Sequence, residues 1–290
     1  MSLPEPTRQK FRFSHRLRVR WAEVDMQKIV FNAHYLMYFD TAIADYWREL
    51  ALPYDVTMQS QGGDLYVKKA VVEYHASARI DDQLDVALRC SRIGSSSVVF
   101  DGAIFRGEQN LVSGELIYVF ADPSTQTSKP LPNALREIML AYEAGEAMVQ
   151  IDLGDWLSLG RDVVALRTEV FLDELGLSGQ SQEDAGDPQA IHAMVRNRLG
   201  LPVATGCLLQ RTPGVGQIGR IAVTRVLRGS RLGRQMLGTL LEAAAKRGDR
   251  EVTLLSPLAN QGFYAKLGFV ARGEPFDEAG VAHTEMARHL

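Results

Sequence analysis

Trp21-Ala22-Glu23-Val24-Asp25-Met26-Gln27-Lys28-Ile29-Val30-Phe31-Asn32-Ala33-His34-Tyr35 ends one hydropathy rhythm and starts another. Before it, residues 15–22 alternate polar and apolar, the two-residue period of a half-buried strand. From residue 33 to residue 50 the period becomes helical. Tyr35, Phe39, Ala42, Tyr46 and Leu50 form one stripe, widened by Leu36, Ile43 and Trp47. Asn32 stands where an N-cap belongs, and Pro53 follows the end of the helix. Asp25 therefore sits one short loop ahead of a helix N-terminus, whose unpaired N–H groups and partial positive charge suit a developing oxyanion. So apolar a helix is expected to be largely enclosed, as by a sheet curled around it.

Four strand candidates follow, at residues 66–78, 83–93, 96–106 and 111–121. Turn residues separate them: Asp81-Asp82, Gly94-Ser95 and Gly107-Glu108-Gln109-Asn110. Spacing this short predicts a sequential antiparallel meander. One helix with five antiparallel strands gives an α+β class, an antiparallel sheet wrapped around a central helix.

Over residues 11–140 the chain resembles the hot-dog-fold acyl-CoA thioesterases of the 4-hydroxybenzoyl-CoA thioesterase (YbgC-like) type. The elements that carry the resemblance are Val19-Arg20-Trp21, Glu23-Val24-Asp25, Ile29-Val30-Phe31, Tyr35-Leu36-Met37-Tyr38-Phe39-Asp40 and the stretch from Val72 to Asp82. It implies that Asp25 is the catalytic carboxylate, acting as nucleophile or general base on a thioester. It also implies that the Asn32 N–H polarises the carbonyl oxygen, an arrangement that acyl transfer requires. Two positions depart from the family. Lys28 stands where glycine is usual, and Asn32 where many relatives have histidine, with His34 two residues later as a helper to Asp25. The competing reading makes Asp25 a turn residue and His34 a capped helix residue.

Asp122-Pro123-Ser124 to Pro130-Leu131-Pro132 is a polar, proline-broken exit loop, and residues 133–148 read as a helix. The expected division is residues 1–148 and 149–290. In the second part, residues 159–175 read as a helix, 176–186 as a polar loop, and 189–197 with 202–210 as a strand pair. Residues 216–223 form a further strand and 234–246 a helix. They are followed by a buried strand at 251–255, a short helix at 260–267 and a strand at 269–274. Between strand and helix lies a basic glycine turn, Arg228-Gly229-Ser230-Arg231-Leu232-Gly233.

That order resembles the GNAT superfamily of acetyl-CoA-dependent N-acetyltransferases over residues 155–290, giving a second α/β domain with a mixed sheet. Ile221-Ala222-Val223, the basic turn and Phe263-Tyr264-Ala265-Lys266-Leu267-Gly268-Phe269 carry it, and the tail from Pro275 to Met286 resembles the ElaA-like branch. The resemblance implies a phosphate cradle of Arg228, Gly229, Arg231, Leu232, Gly233 and Arg234. Ala222 and Val223 would lie along the pantetheine arm, and Tyr264 would protonate the departing thiolate. Arg231 stands where the family's central glycine is usual, and Arg225, Arg228, Arg231 and Arg234 recur every third residue. A solvated basic face is the competing account of that series. Glu169, Asp173, Asp187, His192 and Glu285 are open candidates for the general base, and none is assigned.

Composition accords with such a chain. It has 290 residues, 46% apolar and 23% charged, with a net charge of −3. The charge argues against a nucleic-acid partner, and no apolar run reaches the roughly 20 residues of a membrane span. Cys90 and Cys207 lack metal or redox spacing and read as reduced core thiols in a cytoplasmic protein. No metal and no tightly bound cofactor is expected. Acyl-CoA and acetyl-CoA are expected as substrates, with an unidentified amine as acceptor. A bifunctional enzyme, or one unit serving as a non-catalytic acyl-CoA-binding module for the other, are the two readings. The hot-dog resemblance further implies a homodimer or homotetramer.

Overall fold

Helix α1 (Asn32–Glu49) buries Tyr35, Tyr38, Phe39, Ala42, Ile43, Tyr46 and Trp47, which contains most of the predicted stripe. It belongs to a computed structural model that describes residues 6–176, 182–278 and 280–290, in two compact units, Met1–Met148 and Val149–Leu290. Two expectations about α1 need correction. Leu36 and Met37 are each 41% exposed, so within one chain the helix is covered on one face and open on the other. Asn32 is the first helical residue and not the N-cap; the extended Phe31 (φ −61°, ψ 134°) precedes it and supplies no side-chain cap.

The sheet of the first unit has β1 (Phe13–Arg18), β2 (Asp64–Tyr74), β3 (Gln83–Ile93), β4 (Ser97–Arg106) and β5 (Gln109–Ala121), in the order β1-β3-β4-β5-β2. A meander is present from β3 to β5, but β2 does not pair with β3. It lies beyond β5, from Asp64↔Ala121 to Tyr74↔Val112, and β1 occupies the place beside β3. The reason is the connection at 75–82, which is longer than a hairpin turn. It passes α1, where Ala78 N donates to the Tyr35 hydroxyl at 3.0 Å. The result is the hot-dog arrangement of an antiparallel sheet around a central helix.

Phe39 seats α1 on that sheet through two glycines paired across β4 and β5, Gly102↔Gly114. A Cβ on Gly102 would lie 2.6 Å from Phe39 Cε1, and one on Gly114 would lie 2.9 Å from Cε2. Helix α2 (Tyr54–Gln61), absent from the sequence reading, ends at Gly62 in the left-handed region (φ 67°). Helix α3 (Asn133–Glu143) is shorter than expected because Gly145 (φ 91°) breaks it, as a glycine just past a helix end does.

The second unit opens with β6 (Val149–Gly154) and α4 (Trp156–Arg167), whose N-cap Asp155 accepts from Ser158 N at 2.9 Å. The predicted helix at 159–175 is in fact α4 followed by a π-helical turn, Thr168–Glu174. The loop predicted at 176–186 lies partly outside the described residues. Then come β7 (Ile191–Asn197), β8 (Pro202–Thr212), β9 (Val215–Val223), α5 (Leu232–Arg247) and β10 (Glu251–Pro257), followed by α6 (Gln261–Ala265), β11 (Val270–Glu278) and β12 (Val281–His289). Strands β6 and β12 were not anticipated. The sheet order is β11-β12-β10-β9-β8-β7-β6, and among the described residues β9 and β10 are its parallel neighbours. Met236, Leu237, Leu240 and Ala244 of α5 pack on Val203, Leu208, Ile218, Val252 and Leu254 of the sheet.

Candidate functional site

In the first unit the loop that carries Asp25 is closed by a short ladder. Val24 bridges Val30, Asp25 N donates to Ile29 O at 2.9 Å, and Phe31 N donates to Glu23 O at 2.9 Å. Lys28 N returns to Asp25 O at 2.9 Å with Lys28 at φ 60°. The left-handed turn explains the family's glycine there, and it costs an L-residue about 1–2 kcal/mol. The half-buried Asp25 accepts from Gln27 N through Oδ1 at 2.8 Å, and no hydrogen bond reaches its Oδ2 among the described residues. Asn32 N opens α1 and meets no acceptor among the described residues, while Asn32 O accepts from the Tyr74 hydroxyl at 3.2 Å. His34 packs edge-on against Phe31 at 6.0 Å, and its N–H bonds Phe31 O at 2.9 Å. No hydrogen bond joins it to Asp25.

Glu23, not singled out in the sequence, is the buried charge of this loop, 3% exposed. Its carboxylate accepts from Arg20 N at 2.7 Å, Arg20 Nε at 2.7 Å and the Tyr38 hydroxyl at 2.8 Å. Burial alone would raise its pKa, but the hydrogen bonds from Arg20 and Tyr38 and the Arg20 charge hold it below the usual carboxylate range. The available signal was an acid among apolar neighbours with an arginine three residues earlier.

In the second unit the site begins where two strands part. Strands β9 and β10 pair from Glu251↔Val215 to Thr253↔Gln217 and no further. Beyond that point β9 stays with β8 up to Val223↔Ala204, and β10 with β12 up to Pro257↔His283. The edge of β9 that leads to Ala222 and Val223 is thus open toward β10. Arg220 (φ 51°) forms a bulge within it, its guanidinium paired with Asp184 at 2.5 Å. At the end of β9 the basic turn places Gly229 (φ 88°) and Arg231 (φ 69°) in the left-handed region, so Arg231 adopts the backbone that the family's glycine would. Arg231 is the N-cap residue of α5. The N–H groups of Leu232, Gly233 and Arg234 meet no acceptor among the described residues, which is the anion-ready state of a helix start.

The turn's side chains divide. Arg225, Arg231 and Arg234 are exposed. Arg228 is exposed as well but makes a two-pronged ion pair with Glu174, at 2.7 and 2.6 Å, and bonds Val223 O at 3.2 Å. A Cβ on Gly233 would stand 3.7 Å from Val223 Cγ2 and 3.8 Å from Phe263 Cζ, so the start of α5, the end of β9 and Phe263 lie side by side. Tyr264 is 8% exposed and packs edge-on against Phe263 and Phe269. Burial pushes its phenol up to about 12, so it keeps its proton at neutral pH. Asp187 and His192 are buried together: Asp187 holds Arg167 at 2.7 and 3.0 Å, and its backbone oxygen meets His192 Nε2 at 2.9 Å. Glu285 pairs with Arg211 at 3.3 Å, and Glu169 and Asp173 are exposed on the π-helical turn. Among the described residues no cluster of His, Cys, Asp or Glu has a metal-holding arrangement.

Comparison with known proteins gives a match for each unit. Residues 19–139 match the thioesterase-like superfamily, and residues 191–290 match the acetyltransferase (GNAT) domain. The acyl-CoA thioester hydrolase YbgC of Escherichia coli is 27% identical over 120 residues, 41% of this chain and 89% of that protein. Protein ElaA of Escherichia coli is 35% identical over 74 residues, 25% of this chain and 48% of that protein, so the match spans about half of it. The crystal structure of Escherichia coli ElaA aligns with a TM-score of 0.45 at 26% identity, covering 49% of this chain and 99% of that one.

Proposed function

From a chain that joins a thioesterase-like domain to a GNAT acetyltransferase domain, we propose a bifunctional acyl-CoA enzyme with one active site in each unit. The boundary lies between Met148 and Val149. In the first unit Asp25 either takes a proton from the water that attacks the thioester carbonyl, or attacks that carbonyl itself to form an acyl-Asp25 anhydride that water then hydrolyses to the free acid. The Asn32 N–H receives the oxyanion as the C–O bond forms, and cleavage of the C–S bond releases the coenzyme's thiolate. The carrying observation is that one ladder fixes both Asp25, with a free carboxylate oxygen, and Asn32, with a free helix-terminal N–H. His34, within the same first turn, serves as a helper by its position.

In the second unit the free N–H groups at Leu232, Gly233 and Arg234 hold the pyrophosphate, with Gly229, Arg228 and Arg231 around it. The open edge at Ala222 and Val223 pairs with the pantetheine arm. A neutral amine attacks the acetyl carbon, the C–S bond breaks, Tyr264 protonates the departing sulfur, and the proton lost by the new amide passes through solvent to restore the tyrosine. Trp21 (80% exposed), Met26 (101%), Phe31 (48%), Leu36 and Met37 are large apolar side chains left exposed along the Asp25 loop and the start of α1, which supports homodimer formation there. No described helix is long and apolar enough to cross a membrane, and we assign the protein to the cytoplasm.

Thiol release from a panel of acyl-CoA esters, with and without amines, tests both sites. Amine-independent release that falls about a hundredfold in Asp25→Asn, at unchanged melting temperature, is expected. Retained release in Asp25→Asn would remove the hydrolytic assignment. Coenzyme A binding without turnover at one site would make that unit a non-catalytic module.

A further inference from the structure

We propose that Glu23 is a positioning residue for thioester hydrolysis, fixing the Asp25 loop against helix α1 so that Asp25 and the Asn32 N–H address the same carbonyl. The proposal rests on the hydrolytic reading of the first unit. Glu23 meets the loop at both of its ends. Its backbone oxygen accepts from Phe31 N, the residue immediately before Asn32, and its neighbour Val24 bridges Val30 just ahead of it. Its carboxylate ties the turn that leads into the loop, through Arg20 N and Arg20 Nε, to the Tyr38 hydroxyl on α1.

Tyr38 lies about 9 Å along the helix from Asn32, at the rise of about 1.5 Å per residue. The loop is therefore held at the start of α1 and again nearly two turns further in. A second buried hydroxyl, Tyr35, accepts from Ala78 N at 3.0 Å, and Ala78 O in turn accepts from Val30 N at 2.9 Å. The two tyrosines pack edge-on at 6.0 Å. The Glu23 link differs from the Tyr35 link because it brings an ionised group into the loop's base, two residues from Asp25. The charged neighbour that faces Glu23 is Arg20, and Tyr38 is its neutral hydrogen-bond donor. A buried carboxylate satisfied from two elements is rigid, and catalytic groups lose rate steeply when their relative placement shifts by about 1 Å.

Glu23→Gln and Tyr38→Phe, with Asp25→Asn as reference, test this on the full chain, using the acyl-CoA ester hydrolysed best in the panel. Tyr38→Phe removes only the tether to α1 and should lower kcat about tenfold, with KM within about twofold and the pH profile in place. Glu23→Gln should lower kcat at least as much. Its KM should again stay within about twofold, the split between kcat and KM that lost positioning gives. If Glu23→Gln does not fold, the Tyr38→Phe result decides. Wild-type kcat in Tyr38→Phe, or a fall in either variant fully matched by loss of folded protein, would overturn the proposal. Full activity in Asp25→Asn would instead remove the hydrolytic reading on which it stands.

Discussion

Glu174 grips the guanidinium of Arg228 through two nitrogens at 2.7 and 2.6 Å, so an arginine of the basic turn faces a carboxylate of the same unit. Arg228 is 42% exposed and Glu174 19%, so water reaches the pair and an incoming anion can replace the carboxylate. A pyrophosphate in the turn would then compete with Glu174 for the same fork of donors. Glu174→Gln removes the competitor. Calorimetric titration with acetyl-CoA should show binding tighter by a factor of about 1.4 to 5, the range set by an exposed ion pair of about 0.2–1 kcal/mol. Unchanged or weaker binding would place Arg228 outside the phosphate site.

Gly233 and Tyr264 should separate binding from chemistry. A Cβ on Gly233 meets its neighbours at ordinary contact distance, 3.7 and 3.8 Å, so Gly233→Ala folds and binds acetyl-CoA with little change. Gly233→Asp sets a carboxylate among free helix N–H groups and should weaken binding more than about tenfold by charge repulsion. Tyr264→Phe keeps the ring contacts with Phe263 and Phe269, so affinity should persist while acetyl transfer slows. Equal affinities in the alanine and aspartate variants would refute the phosphate assignment.

Gly102→Ala drives a methyl to 2.6 Å from Phe39 Cε1, against a ring that is fully buried. Overpacking of this kind costs about 1–3 kcal/mol, and the melting temperature of the first unit should drop by several degrees. Adding Phe39→Leu should recover part of the loss, and the coupling is read from a double-mutant cycle.

Acid should destabilise the first unit through two carboxylates. Hydrogen bonds from the Arg16 side chain, together with Arg8, outweigh burial and hold Asp85 below its ordinary range, and Glu23 is lowered by Arg20 and Tyr38 despite its burial. Because both folded values lie below the unfolded ones, near 4, their stabilisation is complete above that pH and is lost as pH falls through the folded values. Glu143, raised by burial, has the opposite sign: its contribution is largest in acid and lost as pH rises. Melting curves from pH 6 to about pH 2.5 should fall steeply at the acid end and less steeply in Asp85→Asn. Equal slopes would show that Asp85 does not titrate with folding.

A chain cut after Met148 should stay folded, melt cooperatively and self-associate, since β2 leaves an edge of the first sheet unpaired and Leu36 and Met37 stand exposed on α1. Sedimentation at micromolar concentration checks this. A monomer would contradict the dimer, and aggregation of both separated parts would contradict the boundary.

Strands with clear alternation and turn residues at both ends were readable: β3 falls on the expected residues, and β4 and β5 within two of them. The pairing of β2 was not, because the 75–82 connection contains Asp81-Asp82 and looks like a turn, while its crossing depends on contacts with α1. The Gly102↔Gly114 seat was equally hidden. Neither glycine sits in a turn, and only the Phe39 ring gives them a purpose. At the sites, Asp25 and the basic turn stood out because their chemistry is local in sequence. Glu23 with Tyr38, Arg228 with Glu174, and the parting of β9 from β10 join residues that are distant along the chain or depend on register. No periodicity encodes these.

The parting of β9 and β10 has a consequence for how this site tolerates change. Past Gln217↔Thr253 the gap is an edge inside a sheet, flanked on both sides by paired strands and so shielded from joining another chain's sheet. A ligand lying there reads amide groups, which every residue except proline supplies. If the coenzyme's pantetheine arm lies there, the side chains of Ile218, Ile221 and Ala222 can change under the demands of the core while the amide groups it meets stay the same. A scan of substitutions through this stretch would then register packing, and a proline would register loss of pairing to the bound arm.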